Sequence, residues 1–171
     1  MRKQLAGIAV RLLALALLSC SLAGCYSFTG ASVPAHLKTL QIPTVEDRSG
    51  FGDAPRYRSV LTEMLIDQFQ NDNSFTLETE NADALLEVAI VNVRDDIANV
   101  GEGEIENERK LTVTIKAVYT DQVKNIQVWD KTIAGFEFYE AGGGTAARDA
   151  AVEAILERLA EDTLLEVVSG W

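Results

Sequence analysis

At 171 residues the chain is long enough for one domain with a real core and short for two. Its 15 basic residues against 26 acidic ones give a formal net charge of −11, which argues against broad affinity for nucleic acid or an anionic membrane surface. A single histidine and two cysteines leave little material for a zinc framework, a heme site or a nucleophile–histidine pair.

The N-terminus is built for export. Residues Met1 to Leu18 carry Arg2, Lys3 and Arg11 and no acid, and residues 12–18 contain only leucine and alanine, as in a secretory signal. The apolar run from Leu12 to Gly24 is shorter than the roughly 20 residues a membrane-spanning helix needs. It ends in Leu22-Ala23-Gly24-Cys25, which reads as a bacterial lipobox. Cys20 is a poorer candidate, because Leu17-Leu18-Ser19 lacks small residues ahead of the bond to be cut. The expected division is a signal peptide over 1–24, a lipidated tether over 25–36 and a single domain over 37–171.

Resemblance to bacterial lipoprotein precursors implies a diacylglyceryl group on the Cys25 sulfur and an acyl group on the new N-terminus; no other cofactor is expected. Several acyl chains on one cysteine hold a domain on a membrane durably, at about 0.8 kcal/mol per buried CH₂. Removal of the signal leaves 12 basic residues against 26 acidic ones, a net charge of −14, and one cysteine already used by lipid. Neither a disulfide nor a cysteine metal site is then available. Stability must come from the core, and the membrane link from the lipid.

After the tether, residues 37–42 read as a first strand stopped by Pro43, and residues 46–53 as a loop. Asp53 is a candidate helix cap, with Pro55 tolerated in the first turn. Tyr57, Val60, Leu61, Met64, Leu65 and Phe69 then share one helical face, and the helix should end near residues 71–73. Residues 75–79 alternate as a short second strand. In residues 84–93 the apolar phase changes from Leu86, Val88 and Ile90 to Val91 and Val93, which predicts a bulge or burial on both faces of a third strand. The clearest strand is 110–119, with Leu111, Val113, Ile115, Ala117 and Tyr119 on one face and Lys110, Thr112, Thr114 and Lys116 on the other. Residues 126–139 form a fifth. Three glycines at 142–144 precede Thr145, a candidate cap for a last helix whose apolar stripe is Val152, Ile155, Leu156, Leu159, Thr163 and Val167.

The order β-α-β-β-β-β-α implies an α+β fold: two helices packed on one face of a four- to five-stranded, mainly antiparallel sheet. The opposite sheet face, with its threonines and lysines, then has no cover from this chain.

No constellation argues for catalysis. His36 lies in the tether beside Pro34 and reads as a solvated loop residue, and the acids are too numerous for any pair to stand out. Glu102, Glu104, Glu106 and Glu108 alternate along an expected hairpin tip; the spacing is open to a cation site, but charges that resist edge pairing explain them as well. The triple glycine lacks the Gly-Lys-Ser/Thr ending of a phosphate-binding loop and reads as a strand-to-helix connection. Neither a catalytic nor a metal site is therefore assigned. The candidate ligand-binding residues are Lys110 and Lys116 on the polar sheet face, with Arg109 adjoining them, so that an acidic protein would concentrate positive charge there for an anionic amphiphile or a partner's wall.

Cys25-Tyr-Ser-Phe-Thr-Gly-Ala-Ser32, Leu37-Lys-Thr-Leu-Gln-Ile42, Arg109-Lys-Leu-Thr-Val-Thr-Ile-Lys116, Phe136-Glu-Phe-Tyr139 and the acidic helix ending at Trp171 together resemble the LptE-like lipopolysaccharide-assembly lipoproteins, especially forms from the Bacteroidetes and their relatives. The resemblance implies a non-catalytic outer-membrane lipoprotein on the periplasmic side, with two helices against a four-stranded sheet. It also implies partners: lipopolysaccharide, and the β-barrel LptD, whose lumen such proteins plug and whose assembly they assist. Arg109, Lys110 and Lys116 rest on the residue pattern alone. The other reading is a lipoprotein adaptor of a different envelope machine that binds protein only.

Overall fold

The computed structural model describes residues 33–52, 54–100 and 106–169. The signal, the lipobox with Cys25, Asp53, Glu102, Glu104 and Trp171 lie outside the described residues. The elements are β1 (Thr39–Gln41), β2 (Glu46–Asp47), α1 (Ala54–Asp72), β3 (Thr76–Leu77), β4 (Ala84–Val100), β5 (Glu106–Asp121), β6 (Ile126–Glu140) and α2 (Gly144–Ser169), with a 3₁₀ turn at Ala141–Gly143 ahead of α2.

Strands β4, β5 and β6 form an antiparallel meander that dominates the sheet, whose order is β3-β1-β4-β5-β6, with β2 also paired to β4. The expected four or five strands become six. The three short ones run parallel to their neighbours, Leu40 opposite Ala84 and Glu46 opposite Ala89. The cause is α1: its 19 residues carry the chain back about 28 Å, so the strands before and after it are joined by a helical crossover, the connection that parallel strands require. β2 falls where a loop was expected, because both its residues are exposed and it has no apolar alternation to betray it.

The bulge in β4 is present. Pairing with β5 shifts between Ile90 and Asn92, so Leu86, Val88 and Ile90 before it and Val93 after it all reach the core. Against them β5 sets Leu111, Val113, Ile115, Ala117 and Tyr119, all buried. α1 adds Tyr57, Leu61, Leu65 and Phe69, and α2 adds Ala151, Ala160 and the whole predicted stripe, including its one polar member, Thr163, whose hydroxyl donates to Leu159 O at 2.7 Å. The two helices pack on each other, and α2 also covers β5 and β6. Close approach of α2 to β6 depends on Gly135: a Cβ there would stand 2.9 Å from Ile155 Cγ2.

The helix ends differ in chemistry. α1 stops where Asn73 turns left-handed at φ 59°, a region asparagine tolerates better than most residues. Gly144 has φ 62° and swings the chain from β6 into α2, which begins one residue before Thr145, the expected cap.

The open face of the sheet

The two faces of the meander differ: the helices cover one, and the other is open among the described residues. On the helix side, Asp95 of β4 gathers three partners. Arg109 Nε donates to its Oδ1 at 2.8 Å, the Tyr139 hydroxyl lies 2.8 Å from Oδ2, and Arg148 Nε of α2 is 3.3 Å from Oδ2. Burial, followed by the bond and charge of Asp95, pushes the Tyr139 hydroxyl above its ordinary pKa. This cluster ties β4, β5, β6 and α2 together. It also corrects the expectation for Arg109, which does not adjoin Lys110 and Lys116: strand alternation turns it to the face of Leu111 and Val113, where Asp95 holds it. The same alternation, read one residue earlier, would have shown this from the sequence.

On the other face stand Lys110, Thr112, Thr114 and Lys116 of β5. Lys110 Nζ sits 4.1 Å from the centre of the Phe136 ring and 5.8 Å from that of Phe138, the residue opposite it on β6. Both rings are nearly half exposed and meet edge to face at 5.7 Å. Lys116 is instead paired with Asp130 at 2.9 Å, beside a shallow depression formed with Glu46, Arg48 and Glu87. The register interleaves Arg94, Lys110 and Lys116 with Glu87, Asp96 and Asp130, so the face does not concentrate positive charge as expected. What it offers is one amphipathic spot, an ammonium between two exposed rings. The sequence held the signal in Phe136-Glu-Phe138, whose period of two puts both rings on the polar side.

His36 also departs from expectation. It is not a solvated loop residue: its Nε2 lies 2.6 Å from Oδ2 of Asp121, a carboxylate only 1% exposed at the end of β5. Burial alone would raise the Asp121 pKa, but the bonds from His36 and from the Lys124 N–H outweigh it and hold the carboxyl below its ordinary value. Nearby, Asp83 accepts from the Lys38 and Thr39 N–H groups at 2.9 and 3.0 Å, and those bonds hold it low as well. The point where the chain enters the domain is thus fixed by two carboxylates. Among the described residues no cluster of three or more His, Cys, Asp or Glu side chains could hold a metal ion, and no helix is long and apolar enough to cross a membrane.

A two-helix layer on a long meander is a fold that this chain shares with solved bacterial lipoproteins. The rare lipoprotein B from Shewanella oneidensis is similar at a TM-score of 0.55 and 10% identity, with 75% of this chain and 92% of that one covered. A Xanthomonas campestris protein reaches 0.59 at 13% identity, covering 81% and 91%. A minor lipoprotein from Acinetobacter baumannii gives 0.52 at 14%, covering 78% and 92%. At these identities the likeness shows the fold alone. Comparison with curated proteins gave no match. The family follows from the sequence model for LptE, lipopolysaccharide-assembly, which matches residues 37–166, and the chain belongs to that family.

Proposed function

We propose that the chain is a non-catalytic outer-membrane lipoprotein, held by lipid on Cys25 at the periplasmic side. There it plugs an LptD-like β-barrel, assists its assembly and contributes to lipopolysaccharide insertion at the cell surface. The observation that carries this reading is the family match over residues 37–166. The bare sheet face supports it, because it is long, largely polar and uncovered among the described residues, as a surface set against a wall or a ligand would be. Within that face the ligand contact is Lys110 with Phe136 and Phe138, where a cation for a phosphate and apolar rings for an acyl chain lie within 6 Å. Lys116 serves second, since Asp130 already neutralises it. Arg109, committed to Asp95, is left out of the contact.

Direct binding of lipopolysaccharide to the detergent-extracted chain tests the reading. Binding that falls when Lys110→Glu and Lys116→Glu are combined, with the circular dichroism spectrum unchanged, would support it. Absence of binding in the unaltered chain would favour an adaptor that recognises protein only.

A further inference from the structure

The chain enters the domain at the same end as the turn between β5 and β6. His36 Nε2 stands 2.6 Å from the carboxylate of Asp121, the last residue of β5, and the Gln122 N–H donates to Asp83 O at 2.8 Å. Residues 122–127, which form the turn and the start of β6, are all exposed and hold one cation, Lys124, and no acid. Residues 33–38, which His36 ties to that turn, also lack an acid and end in the exposed Lys38. In a chain with 26 acidic residues, the two carboxylates of this end are turned inward. Asp121 is buried beside His36, with Lys124 Nζ at 3.8 Å, and Asp83 is held by the N–H groups of Lys38 and Thr39. Within the turn, Val123 and Ile126 are 58% and 52% exposed. Two apolar side chains on either side of a lysine suit a bilayer interface, where the apolar groups enter and the ammonium stays level with the headgroups.

We propose that, in the lipoprotein before it meets a partner, the β5–β6 turn rests on the membrane surface, with Val123 and Ile126 among the lipid headgroups and the meander standing away from the bilayer. This placement rests on the Cys25 anchor of the reading above and adds which part of the domain faces the membrane.

Reach selects the bilayer as the occupant. The chain from Cys25 to Val33, where the described domain begins, spans at most about 28 Å when fully extended, so the entry end is held within that distance of the lipid. Glu140, at the opposite end of β6, lies about 46 Å from Ile126 at the ordinary rise of a strand. A domain lying flat would set charge on the headgroups: the bare face carries the exposed Glu87, Asp96 and Asp130, and the outer side of α2 carries Glu153, Glu157 and Glu161. The turn is the part within reach that presents apolar side chains without an exposed acid beside them. A contact of two side chains is weak alone, but a short tether makes it intramolecular, at an effective concentration on the order of millimolar.

The test places the full lipidated chain in phosphatidylethanolamine–phosphatidylglycerol vesicles that carry a nitroxide on the headgroup. Lipid occupies Cys25 and Cys20 leaves with the signal, so one introduced cysteine takes a fluorophore, at Gln122→Cys in the turn or, as control, at Glu140→Cys at the far end of β6. The nitroxide should quench the turn label severalfold more than the control. Adding Val123→Ser and Ile126→Ser should reduce the turn quenching severalfold, with the circular dichroism spectrum unchanged. Flotation separates this proposal from the reading it rests on: a chain that does not float with the vesicles lacks the anchor, which overturns that reading and this proposal with it. A chain that floats with both labels quenched alike keeps the anchor and overturns the turn as the membrane contact. One that floats with the turn unquenched overturns it too, and leaves Val123 and Ile126 to a protein partner. Undiminished quenching in the serine variant would show that these two side chains do not make the contact, and would overturn it equally.

Discussion

His36 Nε2 and Asp121 Oδ2 stand 2.6 Å apart across 85 residues of chain, joining the entry of the domain to the far end of β5. Removing the imidazole leaves a buried acceptor short of a partner, so His36→Ala should cost about 1–3 kcal/mol of stability in urea unfolding. Because Asp121 is held below its ordinary value, it stabilises the fold at pH values above the unfolded carboxyl, about 3.9, and that contribution is lost as pH falls through this value toward the folded one. Asp83 acts in the same direction. Asp121→Asn should therefore destabilise the chain at neutral pH and weaken the acid limb of its stability curve.

The cluster at Asp95 makes a separate prediction. Asp95→Asn removes the charge that attracts Arg109 and Arg148 and that helps raise Tyr139, and it should cost about 1–3 kcal/mol in thermal or urea unfolding. Ultraviolet titration should show the Tyr139 hydroxyl ionising at lower pH in the variant. A titration unchanged by Asp95→Asn would mean that burial alone sets it.

Gly135→Ala tests the contact between β6 and α2. The added methyl meets Ile155 Cγ2 at 2.9 Å and Leu159 Cγ at 3.4 Å, with Ile155 O behind them at 3.6 Å. Cγ2 is bonded directly to the Ile155 Cβ and has no long arm to swing away, so α2 must shift. Overpacking of this kind costs about 1–3 kcal/mol, measurable as a lowered urea midpoint with an unchanged slope.

Much of this was legible in the residues, and the exceptions share a cause. The alternation of 110–119, the phase change in 84–93 and the stripe of α2 declared themselves because each element is long enough to show its period and has one wet face. β2, with two residues, has no period to show, and the parallel pairing of β1, β2 and β3 follows from the path of α1 rather than from anything local. Arg109 departs from expectation because its charge suggests the wet face, whereas the parity it shares with Leu111 turns it to the helix side, where Asp95 meets it. His36 departs from expectation because its partner, Asp121, lies 85 residues away.

Lys110 and Lys116 differ in a way that separates their variants. Phe136 and Phe138 leave the Lys110 charge intact for a ligand, whereas Asp130 offsets that of Lys116. Lys110→Glu should therefore weaken lipopolysaccharide binding several-fold more than Lys116→Glu does, with both variants folded, since an exposed cation–π contact contributes only about 0.5–1 kcal/mol. Equal effects of the two would show that the aromatic pair does not define the contact.

Isolation of the chain from its own membranes at native expression, in mild detergent and followed by mass spectrometry, bears most directly on its role in lipopolysaccharide assembly. We expect a large β-barrel protein to be recovered with it as a stable complex. Recovery of the lipoprotein with no barrel would contradict that role.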